Sequence, residues 1–426
     1  MVRSLRSGEL ASVLPPGGST LVSSCSAESD LLAAEVRAAG DALGAMDFSG
    51  IFVPGLNCHD WQAGAESRIT SFFQTPELRQ NPERSMFLPL CYQDIMRFYR
   101  QQKPQAALFM CAPPDGDGFC SFGPEVAFIA ALWPEIPVRI AHINPAMPRT
   151  KGDTGIPFAE LTAFFEGDQI LRGMAPAPAD SVTSAIAAHV ASLVPNGATI
   201  QTGLGKLPDA VLMALCDHRG LRLHSGLVGD GILSLLDSGA LAHGDGAHGD
   251  GAHGDGAHGG AALVGVAIGS QALYDRLDDP HFQFRPVTTT HDPDILASID
   301  RLVTINSAME VDLYGQVFAE ASSRGFQSGP GGASDFARGA RRSNGGLRII
   351  ALPAQSGAID RIVAPGTGHG PVSLSRFDVD FVVSEYGIAD LRLQDYHHRA
   401  AALIAIAAPS HRDELAQSWA TLAKHI

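Results

Sequence analysis

Two segments set 179 residues apart follow one plan, and this repetition narrows the folds open to the 426-residue chain. Ser19-Thr-Leu-Val-Ser reads as a strand, a short Ser/Cys/Ala turn follows, and Ser29 to Ala38 has helical apolar spacing. Ala198-Thr-Ile-Gln-Thr begins the same scheme again, with a Gly-Leu-Gly-Lys turn and a helix from Pro208 to Cys216. Aligned without gaps, Thr20 falls on Thr199, Leu21 on Ile200, Ser24 on Gly203, Ser26 on Gly205 and Asp30 on Asp209. A second echo places Asp115-Gly-Asp-Gly on Asp312-Leu-Tyr-Gly, each after a strand, at an offset of 197. The two offsets differ by 18 residues, close to the length of a low-complexity insert at 242–260. Any two βα units look alike locally, but agreement in order and spacing favours an internal duplication. Strands and helices alternate throughout, so the fold class is α/β, with two similar open α/β domains. Gly173-Met-Ala-Pro-Ala-Pro-Ala-Asp180 interrupts the periodic segments, so the boundary is expected within 175–195 and the domains at 1–180 and 181–426.

The insert repeats Ala-His-Gly-Asp-Gly, and its glycines and lack of large apolar residues predict a flexible surface loop. Its four histidines could hold a transition metal loosely, but a Gly-rich loop gives no preorganised ligand set, and no metal site is expected. The net charge of −15 argues against a nucleic-acid partner, which needs a basic face. It leaves small anions open, because backbone N–H groups can hold a phosphate inside an acidic protein. The six cysteines are scattered with no CxxC pair, so they read as reduced, mostly buried thiols. The first 22 residues lack the apolar core of a signal peptide, and no apolar run reaches about 18 residues. No membrane contact is expected, and a cytoplasmic address is.

Three motifs can carry chemistry. Gly203-Leu-Gly-Lys-Leu-Pro-Asp209 lies between a strand and a helix; Gly203 and Gly205 allow a tight turn, and the helix's first N–H groups and Lys206 face the strand's end. It is either a phosphate-holding loop or an ordinary βα turn. Ser328-Gly-Pro-Gly-Gly-Ala-Ser-Asp-Phe336 concentrates Gly329, Gly331 and Gly332 ahead of Arg338, Arg341 and Arg342, a small basic cluster suited to phosphates or a plain solvated face. Asn306-Ser-Ala-Met-Glu-Val-Asp-Leu-Tyr-Gly-Gln316 places polar groups at a strand end; Glu310 or Asp312 could be catalytic or could cap turns.

Together with His224-Ser-Gly-Leu-Val-Gly-Asp-Gly231, Ala267–Asp275 and Ser384-Glu-Tyr-Gly-Ile-Ala-Asp-Leu391, these motifs occur in an order that resembles the acetyl-CoA hydrolase/CoA-transferase family. The resemblance covers most of the chain and is densest from 198 to 400. It implies the fold of the family I CoA-transferases, with acyl-CoA bound between two α/β domains as a substrate, no tightly bound cofactor, and a homodimer. It also implies ping-pong chemistry: a glutamate attacks the thioester, CoA then forms an enzyme thioester, and a small carboxylic acid completes the exchange. Water reaching either intermediate would make the same site a hydrolase.

The chain departs from that pattern at two places. The family carries its nucleophile in a His-Ser/Thr-Glu stretch, and here Gly226, which has no carboxylate, follows His224-Ser225. An Asn-Asp-Pro turn associated with the oxyanion reads His291-Asp-Pro293, where histidine can still donate. Either catalysis is lost, leaving a silent CoA-binding protein, or the nucleophile lies elsewhere. The duplication points to Glu28, in the N-terminal turn that mirrors the Gly203 loop, and Ser-x-Glu28 resembles the turn of the itaconate and RipA-like branch. At a helix start the residue is either an ionised nucleophile or a simple N-terminal acid. Glu310 is the reserve candidate, and Glu385 reads as structural or CoA-side. Phe52-Val-Pro-Gly-Leu-Asn-Cys-His-Asp-Trp61 could shape an acyl pocket or simply pack.

Overall fold

The computed structural model describes residues 2–153, 155–242 and 261–425, so the insert lies outside the described residues from position 243 onward. Its first sheet is built from β1 (Arg3–Ser4), β2 (Ser19–Val22), β3 (Asp47–Gly50), β4 (Arg68–Ser71), β5 (Ser85–Phe87), β6 (Ala106–Cys111), β7 (Val138–Ile143) and β8 (Ala163–Glu166). The spatial order is β1-β8-β7-β6-β2-β3-β4-β5, and every neighbouring pair is parallel. A central parallel strand is covered on both faces, which is why all six residues of β6 are apolar and buried.

A second set of strands comprises β9 (Thr199–Gln201), β10 (Arg222–Val228), β11 (Leu302–Ser307), β12 (Leu347–Ala351), β13 (Phe381–Ser384) and β14 (Gly387–Asp390). They run in the order β10-β9-β11-β12-β13-β14, parallel except for the closing β13–β14 hairpin. Five strands of each sheet therefore share one permuted order: β3-β2-β6-β7-β8 in the first and β10-β9-β11-β12-β13 in the second. In each, the chain winds one way from the first strand and then returns to wind the other way. The turning point lies between β2 and β6, and again between β9 and β11. Ligands of open α/β sheets bind outside the strand carboxyl ends at such a point.

Helix α1 (Asp30–Ala39) follows β2, capped by the Ser29 hydroxyl, which accepts from Leu32 N–H at 3.0 Å. It buries Leu32, Ala33 and Val36, each large side chain worth roughly 1.5–3 kcal/mol of apolar transfer. Helix α2 (Tyr92–Gln102) and helix α3 (Ser181–Leu193) come next. Helix α4 (Lys206–Ala214) follows β9 and begins two residues before the expected Pro208, with Gly205 as its cap residue. Helix α5 (Ala333–Arg342) follows the second glycine cluster and has Gly332 as its cap residue.

The chain divides into two units, Met1–Ala175 with Leu263–His291, and Pro176–Ala262 with Asp292–Ile426. This differs from the single division at 180/181. The segment Leu263–His291 joins the first unit because its backbone is bonded there: Val126 N–H donates to Gly265 O at 3.1 Å and Ala267 N–H to Pro124 O at 2.8 Å. Among the described residues no helix is long and apolar enough to cross a membrane. All six cysteines are free; Cys25, Cys111 and Cys120 are buried, whereas Cys58 is exposed.

Candidate active site

Glu28 stands where β2 has ended and α1 has not begun, beside the turning point of the first sheet. The chain leaves β2 through a single 3-10 turn, Cys25–Ala27. Cys25 takes a left-handed φ of 51°, unusual for a residue with a Cβ. The loop from Phe52 to Trp61 folds over this turn. Asn57 Oδ1 accepts from Cys25 N–H at 3.2 Å and Val53 N–H at 2.7 Å, while its Nδ2 donates to Cys25 O at 3.0 Å. Trp61 closes the loop with a φ of 49°. Two such residues around one carboxylate mark a locally over-determined backbone of the kind found at functional sites.

The Glu28 side chain is fully buried. Its Oε2 lies 2.7 Å from Arg172 Nε and accepts from Cys58 N–H at 3.3 Å; Oε1 accepts from Trp61 Nε1 at 3.3 Å. Burying an unpaired carboxylate would cost several kcal/mol, and these donors offset that cost. Arg172 also pairs with Asp30, and His59 Nε2 sits 3.1 Å from Arg172 Nη2 and 2.7 Å from Asp30 Oδ1. Burial raises the Asp30 pKa, but the His59 hydrogen bond and the Arg172 charge outweigh it and hold the carboxyl below its usual range. Glu28, Cys58 and His59 bring ligand atoms within 4.8 Å of one another. Arg172 already supplies the cation there, so the cluster is an ion-pair network. Burial is also the main reason the Cys58 thiol titrates high.

In the second unit, the Gly203 turn leaves β9. Gly205 has a φ of +114°, which glycine alone adopts without strain, and a Cβ at Gly203 would meet nothing closer than Pro208 at 3.8 Å. Lys206 is turned to Asp180, with Nζ 2.6 Å from Oδ2. Gln201 and Asn306, at the ends of adjacent strands β9 and β11, exchange side-chain hydrogen bonds at 3.2 and 3.3 Å. Ser225 Oγ donates to Thr202 O at 2.9 Å, so His224-Ser225-Gly226 lies along the end of β9 with no carboxylate at its third position. Gly329, Gly331 and Gly332 lead into α5, with Gly331 at a φ of +58°. Arg342 lies 3.0 Å from Asp294 and Arg341 3.8 Å from Asp378, so two of the three arginines face acids.

Glu310 is buried and fully engaged: Oε1 is 2.8 Å from His369 Nδ1, and Oε2 accepts from His369 N–H at 2.8 Å. His291, in the first unit, is also buried; its Nδ1 is 2.8 Å from Thr290 Oγ1, and its ring lies 4.5 Å from that of Tyr92. Glu385 Oε2 accepts from Ala354 N–H at 2.8 Å. Sequence reasoning missed Arg172, which immediately precedes the Gly173–Asp180 stretch read as a boundary.

The chain belongs to the acetyl-CoA hydrolase/CoA-transferase family. A model described as the acetyl-CoA hydrolase/transferase C-terminal domain matches residues 269–419. Over 340 residues the chain is 34% identical to the 4-hydroxybutyrate coenzyme A transferase of Clostridium kluyveri, covering 79% of this chain and 77% of that one. It is also 34% identical over 357 residues to the succinyl-CoA:acetate/propanoyl-CoA:succinate CoA transferase of Fasciola hepatica, covering 82% and 73%. The crystal structure of RipA from Yersinia pestis superposes with a TM-score of 0.85 at 25% identity, over 99% of this chain and 98% of that one. Acetyl-CoA hydrolases stand among the more distant relatives, at 25% identity.

Proposed function

We propose that this enzyme moves CoA between an acyl-CoA and a small carboxylic acid, possessing in Glu28 the carboxylate that carries the covalent intermediates. The observation that supports the assignment is the position of Glu28: a charged carboxylate, beside Arg172, at the carboxyl end of β2 where the winding of the first sheet reverses. Gly226 has no side chain to attack with.

The reaction runs in balanced steps. A Glu28 oxygen attacks the thioester carbonyl; a C–O bond forms, the C–S bond breaks, and CoA leaves as the thiolate. The thiolate attacks the glutamyl carbonyl, giving an enzyme–CoA thioester and freeing the first acid. The acceptor carboxylate then reverses the sequence. Each intermediate keeps the thioester's energy, so one difficult exchange becomes several easier ones. Because Glu28 is buried, attack requires its Arg172 and Trp61 partners to give way, and the strained Cys25 and Trp61 backbones flank the segments that would move.

The acceptor class we favour is a small mono- or dicarboxylate. Hydrolysis is the second reading, favoured by the hydrolases among the relatives. Thiol release from acyl-CoA should depend on added carboxylate, and Glu28→Gln should lower kcat by at least about a thousandfold. Release at an unchanged rate without an acceptor would favour the hydrolase. Full activity in Glu28→Gln would remove Glu28 from the mechanism.

A further inference from the structure

Five arginines of the second unit converge on one cavity that nothing in the scheme above uses. Arg341, Arg348, Arg376, Arg392 and Arg399 line a space of about 520 Å³, within the range of small-ligand sites. The cavity lies at the amino ends of the parallel strands. Arg348 is the second residue of β12, Asp380 immediately precedes β13, and Asp390 closes the antiparallel β14 opposite Phe381. Arg341 stands in the last turn of α5, at the other end of that helix from the Gly329–Gly332 loop. The Gly203 turn and the Gln201–Asn306 pair stand at the carboxyl ends instead. One strand length separates the two places, roughly 15 Å for a strand such as β12.

In a chain of net charge −15 this cavity is basic, with two lining aspartates against its five arginines. Both aspartates are engaged: Asp380 Oδ2 accepts from Arg348 Nε at 2.9 Å, and Asp390 Oδ2 from Arg392 Nη2 at 2.7 Å. Arg341 comes no nearer than 3.8 Å to Asp378. Among the described residues Arg376 and Arg399 have no ion pair at all. Arg376 Nε donates to Tyr396 Oη at 3.0 Å, and Arg399 reaches the carbonyls of Tyr314, Arg376 and Gln394, each at 3.4 Å. Both side chains are half-buried, where like charges without a counter-charge repel more than in water. Burial is the main reason the Arg399 guanidinium titrates below its usual range, and the charge of Arg376 acts in the same direction. The rim adds two exposed apolar side chains. Phe377 carries the Arg376 guanidinium 4.2 Å from its ring centre, and Leu393 has a left-handed φ of 53°. Backbone strain of that kind gathers at ligand clamps.

We propose that this cavity binds a diphosphate group, either as free pyrophosphate or as part of a nucleoside diphosphate. Two adjacent phosphoryl groups present several charged oxygens, which suit guanidinium forks set side by side; a single carboxylate fills one fork. Arg376 and Arg399 make the main contacts without surrendering an ion pair, and Arg341 adds a third from the rim. A base attached to the diphosphate finds an apolar surface in Phe377. The site lies one strand length from the carboxyl ends, so its ligand is separate from the acyl-CoA of the transferase reading. The inference does not depend on that reading, because its test measures binding.

The test is isothermal titration calorimetry with pyrophosphate, ADP and adenosine at low salt. Pyrophosphate and ADP should bind the unsubstituted protein, and adenosine should not. Hydrogen bonds to charged groups are worth about 10- to 150-fold in affinity, so Arg376→Gln and Arg399→Gln should each weaken both anions by that much. Arg399 also holds three carbonyls, so Arg341→Gln provides a variant on an exposed side chain; it should weaken binding by about two- to fivefold. Lys206→Gln, at the far end of the strands, should bind both anions as the unsubstituted protein does. ADP binding about 5- to 150-fold tighter than pyrophosphate would show the base stacked on the rim, and equal affinities would show that the diphosphate alone is held. Absence of binding by either anion at millimolar concentration would overturn the proposal. So would unchanged affinity in Arg376→Gln and Arg341→Gln, or binding lost in Lys206→Gln and kept in Arg399→Gln, which would put the anion at the Gly203 turn. None of these results touches the transferase reading.

Discussion

At the scale of single residues, the account turns on how one carboxylate is kept in a dry place. Glu28 is held by Arg172, Cys58 N–H and Trp61 Nε1–H. Arg172→Met should therefore leave a buried charge without its main partner. We expect a loss on the order of 2–3 kcal/mol by chemical denaturation, below the usual range for a buried pair because Arg172 is itself 21% exposed. Adding Glu28→Gln to it should recover part of that loss, because the stranded charge is gone. Additive losses would show that the pair is uncoupled. Glu28 was legible in the sequence as a candidate through the duplication, which aligns its turn with the Gly203 loop. Arg172 was not, since nothing in Arg-Gly-Met-Ala-Pro announces a partner 144 positions away from Glu28. The expected roles for His291 and Glu310 meet a different difficulty. Both side chains are buried among partners that sequence spacing does not predict, such as His369 for Glu310.

At the scale of elements, two glycines test why the helices start and pack as they do. Gly205 has open space where a Cβ would sit, so the cost of Gly205→Ala is backbone strain at φ +114°, about 1–3 kcal/mol. Gly339 is the opposite case. A Cβ there would lie 2.4 Å from Leu296 Cβ, where α5 crosses the Pro293–Ser298 helix. Gly339→Ala should destabilise by about 1–3 kcal/mol through that clash, and Leu296→Ala should relieve part of it. Urea denaturation of the single and double variants separates the two causes. The strands at 19–22 and 199–201 and the helices after them were readable because apolar period and turn residues agree there. The extension of α4 to Lys206 was not, because Gly-Leu-Gly-Lys looks like a turn until tertiary packing fixes it.

At the scale of the whole molecule, each unit has its own apolar core, which is why a chain of this length needs no disulfides. The interleaving of Leu263–His291 with the first unit was invisible to a reading that cut the chain once, since it depends on backbone bonds to Pro124 and Val126. The flanks of the insert attach to one strand edge: Ala242 N–H donates to Leu221 O and Leu223 N–H donates to Ala261 O, both at 2.8 Å. Replacing 243–260 with a short Gly-Ser linker should thus leave turnover within about twofold, because loop closure depends only weakly on length. A large loss of turnover would give the insert a role that its composition does not suggest. The central claim is that the covalent carboxylate comes from the first unit, and trapping tests it most directly. Incubation with acyl-CoA, reduction with borohydride and peptide mapping should place the modified glutamate at Glu28. Modification at Glu310, or an adduct on any other carboxylate, would contradict the account.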